Sequence, residues 1–169
     1  MKPFSFDFDY SGETVQVQKH WQFCVGSGHA ALAQRADYLA QLKTVHDELG
    51  IKRVRFHGIF NDDMNVCVRL SDHLPIISRN KTKIYDFYQV ARVYDNLLAA
   101  GMKPFVEIGF MPKALASGRK TVFYYKGNVT MPKKMQQWQD FIRAFAGFLI
   151  KRYGLEEVRT WYFDCLLYT

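Results

Sequence analysis

Three glycines, Gly50, Gly101 and Gly154, each close an amphipathic stretch and precede a short apolar run, at intervals of about fifty residues. The first stretch, residues 30–49, carries Leu32, Ala36, Leu39, Leu42, Val45 and Leu49 at three- and four-residue steps. The second, residues 84–100, repeats the stripe with Ile84, Phe87, Ala91, Tyr94 and Leu98, and the third with Trp138, Phe141, Ile142, Phe145, Leu149 and Arg152. Glycine past the last helical turn supplies the left-handed cap such ends favour. Between the helices the sequence predicts strands at Trp21 to Val25, Val54 to His57, Lys103 to Ile108 and Val158 to Cys165. Regular alternation of strand and helix specifies an α/β fold with a parallel sheet. Helix-to-strand links are short and strand-to-helix segments long, so the elaborated face lies beyond the carboxyl ends of the strands, where such folds bind ligands. His57, Asp63, Glu107 and Phe110 all fall on that face.

Residues 52–63, Lys-Arg-Val-Arg-Phe-His-Gly-Ile-Phe-Asn-Asp-Asp, pass from apolar strand to polar loop within a few positions. An arginine in such a strand needs an acidic partner, because stranding a buried charge costs roughly 3–5 kcal/mol. Arg55 and His57 are read at this level as polar groups paired inside a sheet, with a structural and a functional role both open. Upstream, Phe4, Phe6, Phe8 and Tyr10, then Val15 and Val17, alternate with period two around Ser11-Gly12, which predicts an amino-terminal strand or hairpin over residues 1–18, ahead of a main domain at 19–169.

Other chemistries find little support. The net charge of +7 is scattered through loop-like segments, which argues against a nucleic-acid face. Cys24, Cys67 and Cys165 lack metal or redox spacing, and Asp62, Asp63, His57 and Glu107 lack the helical spacing of strong metal motifs, so neither a metal nor a cofactor is expected. The amino terminus has neither a leader-like run nor a membrane span, which points to a cytoplasmic protein. Gly26-Ser27-Gly28-His29-Ala30-Ala31 has the form of a dinucleotide fingerprint between strand and helix, and a nucleotide-binding α/β module is the alternative reading. That motif wants an acidic residue ending the second strand, where Arg55-Phe56-His57 stands instead. Residues 121–127, Thr-Val-Phe-Tyr-Tyr-Lys-Gly, gather rings that suit stacking on sugars or packing within a hairpin.

Several runs together resemble glycoside hydrolase family 39, the β-xylosidases and α-L-iduronidases. They are Val25 to Gly28, Val54 to Met64, Lys103 to Gly118 and Arg152 to Val158. The resemblance implies a partial (β/α)8 TIM barrel of about four strands and three helices, hydrolysis of O-glycosyl bonds with retention, and a xyloside-type carbohydrate as ligand. It makes Arg55 the supporter of the nucleophilic carboxylate and brings His57 to the sugar. Asp63, Glu107 and Phe110 would line the same pocket, and residues 1–18 would belong to an accessory β-sandwich.

The likeness breaks at the fourth strand. The family continues as Trp-x-Phe-Glu-Val-Trp-Asn-Glu-Pro, in which the last glutamate is the acid/base. Here residues 161–169 read Trp-Tyr-Phe-Asp-Cys-Leu-Leu-Tyr-Thr, placing Tyr168 at the acid/base position and Leu167 at the asparagine. The nucleophile is expected on a seventh strand, beyond Thr169. Retaining hydrolysis needs two carboxyl groups about 5 Å apart. The resemblance therefore implies a chain inactive alone, or one half of a split glycosidase, with an open sheet edge prone to self-association.

Overall fold

The computed structural model describes residues 3–69 and 83–165. Strands β1 (Val25–His29) and β2 (Arg53–His57) flank helix α1 (Ala36–Leu49). A small antiparallel pair, β3 (Cys67–Arg69) and β4 (Lys83–Tyr85), precedes α2 (Tyr88–Ala99) and β5 (Lys103–Glu107). The two-residue strands β6 (Thr121–Val122) and β7 (Gly127–Asn128) form a hairpin before α3 (Met135–Tyr153), the short α4 (Leu155–Val158) and β8 (Tyr162–Asp164). The main sheet runs β1-β2-β5-β8 with every pairing parallel. This is the α/β order that the repeated unit specifies, and β1 and β8 are its edges among the described residues.

Gly50, Gly101 and Gly154 all adopt positive φ, at 69°, 81° and 83°. Gly50 caps α1 by donating its N–H to the His46 carbonyl. A β-carbon at Gly101 would also lie 2.8 Å from His46 Nε2, so both conformation and space demand glycine there.

The structure moves several boundaries. The first strand is Val25–His29, not Trp21 to Val25, and His20–Gln22 form a 3₁₀ turn. Gly26 and Gly28 thus lie inside a paired strand, with Val25 opposite Val54 and Gly26 opposite Arg55. They do not form the glycine turn between strand and helix that a dinucleotide fingerprint requires, which removes that reading. Their role is an irregularity in the ladder between Gly26 and His29, a usual place for strand glycines. The first helical stretch breaks at Arg35 into a 3₁₀ segment, Ala30–Gln34, and α1. Ile84 belongs to β4 rather than to a helix, and Val158 ends α4 rather than opening a strand. Residues 3–17 form no strand, and Phe4, Phe6, Phe8 and Tyr10 are exposed. A period-two pattern yields a half-buried strand only against a partner, and no described strand pairs with it.

Along β2 the side chains divide by parity, with Val54 and Phe56 buried toward the helices and Arg53, Arg55 and His57 on the concave face. The helix-side core centres on Phe60, whose ring meets Phe141 at 4.9 Å and Phe145 at 4.8 Å, both edge to face. On the concave face, the Arg53 guanidinium lies over Phe23 at 4.9 Å and Tyr162 at 4.6 Å. Phe23 and Tyr162 are each more than two-fifths exposed.

The three thiols differ sharply. Cys165 is exposed, Cys24 is half-buried with its pKa raised by burial, and Cys67 is buried with its pKa pushed up to about 11 by desolvation. At pH 8 only on the order of a thousandth of Cys67 is thiolate. Titration with a chromogenic disulfide at that pH is expected to show one fast thiol, Cys165, with Cys67 reacting only after denaturant is added.

Candidate active site on the carboxyl rim

Four polar side chains converge where β2, β5 and β8 end. The register sets Arg55 opposite Phe105 and Glu107 opposite Asp164, so residues of three strands reach one level of the concave face. Glu107 is the hub. It is 1% exposed, and its Oε2 lies 2.8 Å from Arg55 Nη2 and 2.8 Å from His57 Nδ1, with Oε1 3.0 Å from the same histidine nitrogen. Arg55 also donates from Nε and Nη2 to Asp164 Oδ2, at 3.0 and 2.9 Å. The acidic partners that a strand arginine requires are therefore Glu107 and Asp164, one on each following strand.

The contact with Glu107 fixes the chemistry of His57. A carboxylate only accepts, so Nδ1 carries the proton it donates, and Nε2 is left as the nitrogen able to meet a ligand. The His57 side chain is 29% exposed, so a ligand on the rim has access to it.

A second cluster stands beside the first. His29, at the end of β1, is 6% exposed, and its Nε2 lies 2.5 Å from Asp63 Oδ2. Asn61 donates from Nδ2 to Asp63 Oδ1 at 3.0 Å and to the Tyr125 carbonyl at 3.1 Å. Burial alone would raise the Asp63 carboxyl, but the His29 contact, its charge and the Asn61 hydrogen bond hold it below its usual range. Asp63 thus reaches the site through neighbours that occupy both of its oxygens. Asp62 stands apart, accepting from the Lys113 backbone N–H at 2.9 Å, with its pKa raised by burial. No group of three or more His, Cys, Asp or Glu residues among those described could hold a metal ion.

Phe110 is 3% exposed and backs the β6–β7 hairpin, with Phe123 and Tyr125 each 6.0 Å from its ring. A β-carbon at Gly127 would come within 2.5 Å of that ring. Gly127→Ala is accordingly expected to destabilise the chain by about 1–3 kcal/mol through overpacking, seen as a lower urea midpoint with an unchanged slope.

Of the residues marked from sequence, the structure joins Arg55, His57 and Glu107 directly, brings Asp63 in at one remove and places Phe110 beneath the rings. Sequence reasoning gave no role to His29, Asn61 or Asp164, and marked Tyr125 only as one of the rings of residues 121–127. Position was the available signal for His29, since it ends β1 opposite His57. Tyr168 lies outside the described residues, as does the rest of the run after Cys165.

A parallel sheet with helices on one side and a polar cluster at its carboxyl rim is the architecture of a partial (β/α) barrel. Among known families, the model for glycosyl hydrolases family 39 matches residues 7–166, and the chain belongs to that family. It is 48% identical over 156 residues to a β-xylosidase of Caldicellulosiruptor saccharolyticus, covering 92% of this chain and 30% of that protein. It is 45% identical over 149 residues to a β-xylosidase of Geobacillus stearothermophilus, covering 88% and 29%. The crystal structure of a monomeric β-xylosidase from Caulobacter crescentus superposes with a TM-score of 0.78 at 41% identity, over 88% of this chain and 28% of that one. The chain therefore spans about 30% of the length of the curated relatives it matches. No helix among the described residues is long and apolar enough to cross a membrane.

Proposed function

We propose that this chain supplies the sugar-binding side of a retaining, β-xylosidase-type active site, while the two reacting carboxylates come from sequence outside it. The observation that carries this reading is the junction of Arg55 and His57 on Glu107, which presents one histidine nitrogen to a ligand on the rim. In this reading His57 Nε2 accepts from a sugar hydroxyl, and Arg55 holds the carboxylates at the floor of the pocket. Glu107 fixes both, Phe110 backs the wall, and Asp63 acts through His29.

The chain has no Asn-Glu-Pro run, and in this reading Tyr168 takes the acid/base position. A phenol with an ordinary pKa near 10 is a poor proton donor at neutral pH. Alone, then, the chain does not cleave glycosides. The rest of the barrel is joined to it or meets it as a separate polypeptide, and the edges β1 and β8, unpaired among the described residues, otherwise favour self-association. Its setting is cytoplasmic, with carbohydrate rather than nucleic acid as ligand.

The test has two arms. The purified chain is expected to release no nitrophenol from 4-nitrophenyl β-D-xyloside. Spliced at Trp161 to the remainder of the Geobacillus stearothermophilus β-xylosidase, it is expected to hydrolyse that substrate. In the splice, His57→Ala should lower kcat/KM by roughly 10- to 100-fold, the loss of a hydrogen bond made to a reacting sugar. A folded, active splice indifferent to His57→Ala overturns the assignment of the pocket.

A further inference from the structure

At the end of the sheet opposite the rim, the start of β2 meets the 3₁₀ turn His20–Gln22. The Lys52 N–H donates to the Gln22 carbonyl at 2.9 Å, and Gln22 Nε2 donates to the Leu49 carbonyl at 3.0 Å, so main chain and side chain both hold the turn in place. Between turn and strand lies a cavity of about 420 Å³. Lys19, Lys52 and Arg53 line it together with His20, and the rest of its wall is neutral, with no carboxylate in it. Three permanent cations around one space raise the local concentration of anions there.

Arg53 gives this cavity a fixed donor. The contacts of its guanidinium with Phe23 at 4.9 Å and Tyr162 at 4.6 Å hold the half-buried side chain in place. Its Nε is buried and meets no hydrogen-bond acceptor among the described residues. Buried donors are rarely left unpaired, so this one calls for an explanation. The neighbouring strand shows the usual arrangement: Lys103, in register with Arg53, is paired with Glu157 at 3.2 Å. Among the described residues, no carboxylate pairs with Lys19, Lys52 or Arg53. A planar guanidinium fork beside ammonium groups is the donor set that suits a tetrahedral oxyanion carrying more than one negative charge.

We propose that this cavity is a binding site for an oxyanion of the phosphate class, with Arg53 as its anchor and Lys52 and Lys19 as supporting cations. It lies at the amino ends of the strands, away from His57 and Glu107, so it is independent of the sugar-site reading above. A bound oxyanion joins the turn before β1 to the start of β2, and its effect is on stability rather than on glycoside chemistry.

The test is titration of the 169-residue chain with inorganic phosphate at constant ionic strength, sodium chloride making up the balance, followed by NMR amide shifts. Saturable shifts are expected at Gln22, Phe23, Lys52 and Arg53, with a rise in Tm that chloride alone does not give. Arg53→Gln should weaken binding by roughly tenfold or more, and Arg53→Lys, which keeps the charge but loses the fork, by roughly threefold or more. Lys52 is exposed, so Lys52→Gln keeps a folded comparator and should weaken binding roughly three- to tenfold. Lys43→Gln removes the same charge from the exposed pair with Asp47 on α1 and should leave binding within about twofold of the wild type. Unsaturable shifts, or equal weakening by Lys43→Gln and Lys52→Gln, mean attraction to net charge alone and overturn the site. If the isolated chain binds phosphate but a folded, active splice does not, the cavity is a socket for a carboxylate of the completed barrel, and the small-anion site is overturned.

Discussion

Replacing Glu107 with alanine is expected to cost the fold about 3 kcal/mol, at the lower end of what breaking a buried ion pair entails. The carboxylate has no exposed surface, accepts from His57 at 3.0 Å and forms an ion pair with Arg55 at 2.8 Å. Its removal leaves the His57 N–H without its acceptor and Arg55 with Asp164 as its remaining named carboxylate. The arginine side chain is 24% exposed, so water relieves part of the loss, which is why the lower end applies. Glu107→Gln keeps the shape and part of the hydrogen bonding, and should cost about 1–2 kcal/mol. The informative comparison is Glu107→Met with Arg55→Met. Removing charge and countercharge together is expected to destabilise less than Glu107→Ala alone, because the penalty lies in the unpaired cation rather than in a favourable pair. Urea unfolding monitored by circular dichroism reads all three. A loss under about 1 kcal/mol for Glu107→Ala would mean that the rim cluster does not anchor β2 to β5.

The parts of this molecule legible in its sequence are those governed by local rules. Gly50, Gly101 and Gly154 announce helix ends because positive φ is a property of the residue itself, and the helical stripes follow from burial on one face. The need of Arg55 for acidic partners was also readable, since it follows from the cost of a lone charge. Which carboxylates answer it was not, because Glu107 and Asp164 lie 52 and 109 positions away and meet Arg55 only through the sheet register. Gly26-Ser27-Gly28 misled for a related reason. Glycine permits a turn without requiring one, and pairing with β2 made the segment a strand. The alternation at Phe4 to Tyr10 describes a strand that wants a partner, and pairing is not encoded locally. The contact of His29 with Asp63 was the least legible feature, since it joins the end of β1 to the loop after β2.

Phe141→Ala is expected to produce the larger loss, about 3–5 kcal/mol, and to show how far the core can be separated from the hairpin rings. Phe141 has no exposed surface. Its ring meets Phe60 at 4.9 Å, Tyr85 at 5.3 Å, Trp138 at 5.7 Å and Phe87 at 5.8 Å, tying α3 to β4, to the loop after β2 and to the entry of α2. Truncation removes the transfer energy of a whole ring and leaves a cavity whose rigid aromatic neighbours collapse poorly. For a fold stabilised by about 5–15 kcal/mol, that is a large fraction of the total, so near-ultraviolet dichroism should weaken and hydrophobic dye binding should rise in the variant. Phe123→Ala is the natural contrast. The same substitution at a ring 54% open to solvent should move the urea midpoint little, by about 0.5 kcal/mol equivalent. Equal losses at the two positions would show that the hairpin rings belong to the core. A large loss at Phe141 with a small one at Phe123 separates the rings that hold the sheet and helices together from the ring exposed on the hairpin.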